Sequence, residues 1–350
     1  MIRPALEKAS YEIVHHIKSQ LRDNVNDVLK KIPIGNIDIP SLRLLISVFE
    51  PSVEKGYAAA LPELKKAYEF LQTSDVVKIN LPDAFIDASA QMCAIGSTGK
   101  RNFAAFTITR NEPFFLELWC RYYSMAFGEE NLYVLDNSSD DGSIEKAKKM
   151  FPNINVISVP SQQGANWGWC TNVVKTFQRI AFRGYKIVIF ADTDEFLIPE
   201  TGENLRQYSE RFLLSDKRYI RARGFGVIQQ PDEPALSSVH SILEHRSKAW
   251  HAVGYDKTLI SKDPLDWAKG NHHIYDCAGV KLVDDPIDKE LTLLHLRDVD
   301  ADVFYAKCIA QAKMNLVNST FHGATTLEEV KMYFKSRVAP WMSSLDWYEG

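Results

Sequence analysis

The sequence lacks the features that mark several protein classes. Its five cysteines stand far apart without a Cys-x-x-Cys pair, which argues against structural zinc and favours reduced thiols in a cytosol. A net charge of −4 gives no electrostatic basis for nucleic-acid binding. No apolar run approaches the roughly 20 residues of a membrane span, and the amino terminus becomes polar too early for a secretory signal. We therefore expect a cytoplasmic protein without a nucleic-acid partner, and leave open peripheral attachment to the inner face of a membrane or to a larger complex.

The chain length and its hydrophobic patterning indicate one large domain with helical additions. A chain of 350 residues, with 45% hydrophobic and 25% charged residues, is typical of a globular protein. Apolar residues follow the helical period at 5–31, and further helices are expected at 41–49 and 57–71. A linker is expected at 95–100. We predict a helical extension over 1–98, a catalytic domain over 99–298 and a helical segment over 299–350.

From residue 103 short apolar runs alternate with helical patterns. Such alternation indicates βαβ units and a mostly parallel sheet, hence an α/β fold. Asn111 is expected to cap the first of these helices. Strands are predicted at 103–108, 132–135, 156–159, 186–191, 219–222, 258–260 and 291–295, and helices at 144–150, 170–182 and 301–337.

Three acids follow the apolar run that ends at Ala191. Asp192, Asp194 and Glu195 lie within four positions of one another. Carboxylates two residues apart at the exit of a strand can share one hard cation, which could neutralise a diphosphate. Alternatives are an ordinary solvated acidic turn and an Asp-x-Asp phosphatase, although Phe196 does not suit the phosphatase pattern.

Three polar segments follow three of the predicted strands, at 107–112, 136–142 and 192–194. Since the carboxyl ends of parallel strands open on one edge of a sheet, these segments are expected to build one pocket. The helix that follows each loop offers backbone N–H groups to an anion. For the second loop, a tight capped turn without any ligand contact is an equally good interpretation.

Several short motifs follow one another in the order of a known family. The motifs are Arg110-Asn111-Glu112, Asp136 to Gly142, Asp192 to Phe196, Phe225-Gly226, Lys257 to Ile260, Gly270 to His273, Leu294 to Arg297, and Phe304 with Lys307. They resemble a glycosyltransferase of the family 2 type with the GT-A fold, in the branch that includes family 92-like enzymes. Two departures are Leu296, where an aromatic residue is usual, and a missing tryptophan before Phe225, where Arg221 and Arg223 stand. These arginines face a phosphate or acidic sugar, or else the solvent or a salt-bridge partner. The first hundred residues match no family.

The resemblance implies transfer of a sugar from a UDP- or GDP-linked donor to a glycan or lipid-linked glycan, as in polysaccharide biosynthesis. It implies Mn²⁺ or Mg²⁺, with Asp194 as a direct ligand and Asp192 on the ribose or a metal-bound water. Glu195 lies behind them or caps the turn. The implied donor-binding residues are Thr109, Arg110, Asn111, Glu112, Asp136, Asn137 and Asp192. The implied metal ligands are Asp192, Asp194, His295, His272 and His273, although a packed core histidine is the alternative for each histidine.

An inverting reaction also needs a carboxylate base near the acceptor hydroxyl. The candidates are Asp232, Glu233 and Asp266, although Pro231 to Pro234 equally suits a surface turn. Inversion is expected, and retention stays open. Two other hypotheses compete with glycosyl transfer: a nucleotidyltransferase that uses the same paired acids, and a non-catalytic binding subunit with a transferase fold.

Overall fold

The structure is a computed structural model. It describes residues 83–160, 167–236, 242–267, 271, 273–275, 281–282, 286–313, 326, 328–329 and 331–332. The chain divides into two compact units, Met1–Ser97 and Thr98–Gly350. The helices predicted at 5–31, 41–49 and 57–71 lie outside the described residues. No helix in the described part of the chain is long and apolar enough to cross a membrane.

Helices and strands alternate over the first half of the second unit. The described helices are α1 (Asp83–Ser97), α2 (Pro113–Phe127), α3 (Ser143–Met150), α4 (Trp167–Ala181), α5 (Leu205–Leu214), α6 (Ile242–His245) and α7 (Ala301–Lys313). The strands are β1 (Arg101–Thr109), β2 (Leu132–Asp136), β3 (Asn155–Ser158), β4 (Tyr185–Phe190), β5 (Glu195–Pro199), β6 (Tyr219–Ile228), β7 (Ala249–His251), β8 (Lys257–Ser261), β9 (Asp266–Trp267), β10 (Ile274–Tyr275), β11 (Lys281–Leu282) and β12 (Ile287–Asp298).

A nine-stranded sheet forms the centre of the second unit. Its order is β3-β2-β1-β4-β8-β6-β12-β5, and β7 pairs with β6. Neighbours among the first four strands are parallel, and so are β12 and β6, whereas β5, β7 and β8 pair antiparallel. Strands β9 to β11 form a separate small sheet. The predicted α/β class, with parallel strands at its centre, is confirmed.

Aromatic side chains from neighbouring strands and from helix α4 form the core beneath the parallel strands. Phe106 on β1 packs against Phe190 on β4 at 5.1 Å and against Phe177 on α4 at 5.0 Å between ring centroids. All three side chains are buried. Because these strands are covered on both faces, their sequences read as continuous apolar runs rather than as alternating patterns. This rigid core fixes the positions at which the strands end.

One local prediction was wrong, and another was correct only in part. Helix α2 has Glu112, not Asn111, at its cap position, because Asn111 adopts a left-handed φ of 54° and bonds instead to the neighbouring loop. Helix α1 continues through Ser97 into the expected linker at 95–100. The structure also adds strand β5, which begins at Glu195; a charged residue there interrupts the apolar pattern that would have indicated a strand.

Two glycines of β6 let β7 and the segment that follows it approach the strand closely. A Cβ at Gly224 would lie 2.1 Å from the backbone carbon of Tyr255, and one at Gly226 would lie 2.5 Å from the Trp250 ring. The Gly224 N–H donates to the buried carboxylate of Asp256 at 2.8 Å. Strand β6 therefore holds Tyr255 and Asp256, and the next residue begins β8.

Replacing Gly224 with alanine should destabilise the fold. The new methyl group would collide with backbone that cannot rotate away, so we expect a loss of about 1–3 kcal/mol or more in the free energy of unfolding, measured by urea denaturation. Gly254→Ala is the matched control, because nothing lies within 4 Å of a Cβ at that position. Its effect should stay within about 0.5 kcal/mol, and equal losses in the two variants would contradict the interpretation.

Candidate functional site

Hydrogen bonds join the loops that follow β1 and β2. The Asn111 amide donates to Asp140 Oδ1 at 2.7 Å, and its Oδ1 accepts from the Asp140 backbone N–H at 2.8 Å. The Asn111 N–H also donates to Ser139 Oγ at 3.1 Å, and the Asn137 N–H donates to the Thr109 carbonyl at 2.9 Å. These bonds place the first two predicted loops side by side.

The loop after β4 is joined to the first loop through Glu112. The Thr193 hydroxyl donates to Glu112 Oε2. The carbonyl of Asp194 accepts from the Leu296 N–H at 2.8 Å, which holds the same loop against β12. The three predicted strand ends therefore meet at one edge of the sheet, as the sequence indicated.

Four acids, two lysines and one histidine come together at this edge. We call them the acid–lysine cluster: Glu112, Asp192, Asp194, Glu195, Lys257, Lys307 and His295. Lys307 on α7 lies between two of the acids, with its Nζ 2.7 Å from Asp194 Oδ2 and 3.1 Å from Glu112 Oε1. One ammonium thus bridges the loops after β1 and β4.

The second lysine of the cluster begins strand β8. Lys257 Nζ donates to Glu195 Oε1 and lies 3.7 Å from Asp192 Oδ2. The side chain of Lys257 is 4% exposed and that of Glu195 is fully buried, whereas Asp192 keeps 29% of its side-chain surface. Of these carboxylates, Asp192 is therefore the more accessible to an incoming molecule.

His295 lies opposite Glu195 in the pairing of β12 with β5. Its Nε2 is 3.9 Å from Asp194 Oδ1 and 3.9 Å from Glu195 Oε1, and its ring stacks on Tyr255 at 4.4 Å between centroids. Burial lowers the pKa of His295 well below its usual value. The imidazole is therefore neutral at pH 7 and has the form that a metal ligand requires.

The cluster carries more negative than positive charge. Four carboxylates face two ammonium groups and a neutral imidazole, an excess of two negative charges when every acid is ionised. Burial raises the pKa of Glu112, and burial with the neighbouring Glu195 raises that of Asp192 to about 7. Burial opposes ionisation of Asp194 too, but nearby positive charge, led by the hydrogen-bonded Lys307 ammonium, outweighs it and lowers the pKa of Asp194. The site therefore favours added positive charge.

The cluster contains the kinds of side chain that bind a divalent cation, but lysines are already paired with its carboxylates. Carboxylate oxygens suit Mg²⁺ and Mn²⁺, and the charge excess matches one such ion. As the side chains stand, no group of three or more His, Cys, Asp or Glu in the described part of the chain could hold a metal ion. Cation binding at Asp194 would require Lys307 to move. His272 lies outside the described residues, and His273 is exposed.

Two buried polar atoms mark the predicted donor side of the pocket. Thr109 Oγ1 and Arg110 Nε find no hydrogen-bond partner among the described residues. A buried polar atom left without a partner is costly. Asp136, at the end of β2, accepts the Ser139 N–H at 2.9 Å and so shapes its own loop.

The structure gives the three predicted base residues different surroundings. Glu233 accepts from the Ser247 N–H and Oγ at 2.9 Å each and from the Gln230 N–H at 2.9 Å. These bonds join the turn after β6 to the segment before β7. Asp266 pairs with the buried Lys175. Asp232 is exposed in the turn after β6. Each stays a prediction as a base, and the turn interpretation accounts for Glu233.

Lys257 and Lys307 are the site residues that the sequence did not assign. Both lie in segments that carried the family resemblance, yet neither was given a role. The signal available in the sequence was the position of each lysine inside a motif that resembles the family. Tyr255, which stacks on His295, gave no signal because its position depends on the close approach at Gly224.

Comparisons with known proteins find distant structural similarity. No protein-family model matches the chain, and no curated protein matches it. S. aureus TarS has a TM-score of 0.32 and 13% identity over 68% of this chain and 43% of that chain. This chain therefore spans less than half the length of that relative. At such TM-scores the comparisons carry no argument about function.

Two further solved structures contain ligands. TarS 1–349 from S. aureus in complex with UDP has a TM-score of 0.30 and 14% identity over 67% of this chain and 78% of that chain. Glucosyl-3-phosphoglycerate synthase from Mycobacterium tuberculosis, solved with Mn²⁺, UDP and glucosyl-3-phosphoglycerate, has a TM-score of 0.26 and 18% identity over 38% of this chain and 47% of that chain.

Removing Lys257 should destabilise the protein strongly. Lys257→Met would leave the fully buried Glu195 carboxylate without its ammonium partner, and we expect a loss of about 3–5 kcal/mol in the free energy of unfolding. Adding Glu195→Gln should recover part of this loss, because the uncompensated charge is removed. Urea denaturation of the single and double variants measures both effects.

Lys146→Met is the matched control for this pair. Lys146 bonds Glu117 at 2.8 Å, but 55% of its side chain is exposed. Solvent screens such a pair, so its loss should cost about 0–1 kcal/mol. If Lys257→Met were as mild as this control, the cluster would not depend on its lysines.

Proposed function

We propose that the protein is a glycosyltransferase of the GT-A type that moves a sugar from a UDP- or GDP-linked donor to a hydroxyl of a glycan or lipid-linked glycan. The observation that carries this proposal is the acid–lysine cluster at the joined ends of β1 and β4, beside the end of β2. Ligands of open α/β sheets bind at this edge. The motif order that resembles family 2, and within it the family 92-like branch, supports the same assignment.

The donor nucleotide is assigned to the loops after β1 and β2. Asp136 contacts the base, and Thr109 and Arg110 line the same end. The unpartnered buried atoms of Thr109 and Arg110 support this placement, because a bound ligand would supply the missing hydrogen bonds. Of the remaining donor-side residues, Asn111 and Asn137 hold these two loops together, and Glu112 joins the first loop to the one after β4.

The diphosphate end of the donor is assigned to the acid–lysine cluster. Asp192, Asp194 and His295 would hold Mn²⁺ or Mg²⁺, with His272 and His273 as further candidate ligands. When bound, the cation would supply positive charge to the departing diphosphate. Asp192, the most exposed of the four carboxylates, is assigned to the ribose or a metal-bound water, and its exposure and the pairing of Lys257 with the buried Glu195 support this choice.

Transfer with inversion needs a base on the acceptor hydroxyl, and Asp232 and Asp266 are the better candidates. Glu233 already accepts three hydrogen bonds that hold its loop. Asp266 keeps 41% of its side-chain surface exposed beside Lys175. A carboxylate in either position can accept a proton when an acceptor hydroxyl comes within hydrogen-bond reach.

Donor binding is tested by thermal stabilisation with UDP and GDP, each with and without Mn²⁺. We expect a rise in the melting temperature that is larger with Mn²⁺, because the cation relieves the charge excess of the cluster. Asp194→Asn should abolish the Mn²⁺-dependent part of the rise. Asp302→Asn, which changes an exposed acid in the first turn of α7, is the control and should respond like the wild type.

Each other outcome points to a different activity. Stabilisation by nucleoside triphosphates alone would favour a nucleotidyltransferase, although Thr109 to Glu112 contains none of the glycines that such a loop usually carries. No response to any nucleoside diphosphate would rule out the donor site and leave the non-catalytic binding subunit. A sugar nucleotide that stabilises the protein and is then consumed only with a glycan acceptor would identify the reaction.

A further inference from the structure

Two aromatic rings lie on the same face of strand β6 as His295. Gly226 of β6 pairs with Trp250 of β7 on one side and with His295 of β12 on the other. Residues directly opposite each other in neighbouring strands point to the same face of a sheet. A Cβ at Gly226 would collide with the Trp250 ring, and one at Gly224 would collide with Tyr255. The two rings and the imidazole therefore share one face of the sheet.

A series of ring contacts connects Trp250 to the acid–lysine cluster. The Tyr255 ring stacks on His295 at 4.4 Å between centroids, with 24° between the ring planes. On its other side, Tyr255 lies 6.1 Å from the Trp250 ring, at 51°. His295 Nε2 in turn is 3.9 Å from Asp194 Oδ1. A molecule that rests on these rings therefore lies beside the carboxylates of the cluster.

The rings keep part of their surface accessible. Trp250 and Tyr255 are half-buried, and Val253 in the turn between them is 71% exposed. We call these three residues the aromatic platform. Aromatic side chains are typical of the walls of ligand sites. Because the close packing on Gly224 and Gly226 already fixes the rings, little conformational entropy is lost when a ligand binds them.

Polar groups border the platform and narrow the class of ligand that fits it. The Arg297 guanidinium lies 6.0 Å from the centroid of the Tyr255 ring and bonds Asp298 at 2.8 and 3.1 Å. A matching ligand needs an apolar face for the rings and polar groups at its edge. A cyclic sugar has this build, with C–H groups on its ring faces and hydroxyl groups around its rim. An aliphatic chain lacks the polar edge.

We propose that the aromatic platform is the acceptor subsite, where a pyranose ring of the acceptor glycan stacks on Trp250 and Tyr255. The hydroxyl groups of that ring then lie towards the acid–lysine cluster, where the donor is assigned. The acceptor class is accordingly a cyclic sugar rather than a lipid or an open-chain polyol. This role rests on the proposed function, because an acceptor requires glycosyl transfer, but it requires no bound cation.

The first test measures sugar binding by isothermal titration calorimetry, without nucleotide or cation. Cellobiose and maltose are the probes, because each presents glucose rings whose faces carry C–H groups. Sorbitol carries similar hydroxyl groups without a ring and should not bind. Trp250→Ala should weaken disaccharide binding about tenfold or more, through loss of the larger aromatic surface. Trp250→Phe retains a ring and should keep most of the affinity.

Leu214→Ala is the matched control for this series. Leu214 is an apolar side chain that is 88% exposed, and it lies at the end of α5, before β6 begins. Its loss removes exposed apolar surface at the end of β6 away from the platform. The variant should therefore bind both disaccharides like the wild type.

A second measurement uses the wild-type protein, so that it does not depend on the folding of a variant. Oxidation with N-bromosuccinimide, followed by mass spectrometry, reports how accessible each tryptophan is. Cellobiose or maltose should protect Trp250, whereas sorbitol should not. Met125, which is 83% exposed, should be oxidised equally in all states. Trp119 and Trp267, which are completely buried, should stay unmodified while the protein remains folded.

The outcomes separate this role from the proposed function. Equal disaccharide binding in the wild type and Trp250→Ala, equal binding of sorbitol, or no binding of either disaccharide would overturn the acceptor subsite even if UDP or GDP stabilises the protein. Disaccharide binding that depends on Trp250, without a response to any nucleoside diphosphate, would support a sugar site on the platform and overturn glycosyl transfer instead.

Discussion

Pairing between buried carboxylates and two lysines is the interaction on which the site depends. An isolated buried carboxylate costs several kcal/mol, so the acids at the ends of β1 and β4 need compensating charge. Lys257 reaches Glu195 across 62 residues of sequence, and Lys307 reaches Asp194 across 113. The carboxyl half of the domain therefore closes around acids supplied by the parallel half, and neither half forms the site alone.

Strand β6 makes this closure geometrically feasible. Without side chains at Gly224 and Gly226, the backbone of Tyr255 and the ring of Trp250 lie directly against the strand. Asp256 is then fixed on the Gly224 N–H, and the next residue, Lys257, begins β8 with its ammonium directed at Glu195. The absence of side chains at Gly224 and Gly226 in β6 thus determines where the Lys257 ammonium of β8 lies.

The sequence predicted the parts of this arrangement that depend on local pattern. Apolar runs and helical periods identified β1 to β4 and their loops, because burial on both faces leaves a continuous signal. Strand β5 was missed because the buried Glu195 interrupts that signal. Lys257 and Lys307 were not assigned a role because an ion pair depends on distance in the fold, which the sequence does not show. Asn111 was wrongly predicted as a helix cap because its amide bonds Asp140 instead of capping α2.

The excess of acid also sets the electrostatic character of this edge of the sheet. An anion that approaches the cluster first meets Asp192, the most exposed of its four carboxylates, and is repelled by that group when it is ionised. Lys307 offsets little of this repulsion, because its ammonium is already paired with Asp194 and Glu112. Two lysines that balance only half of four carboxylates therefore leave this edge with a preference for added positive charge.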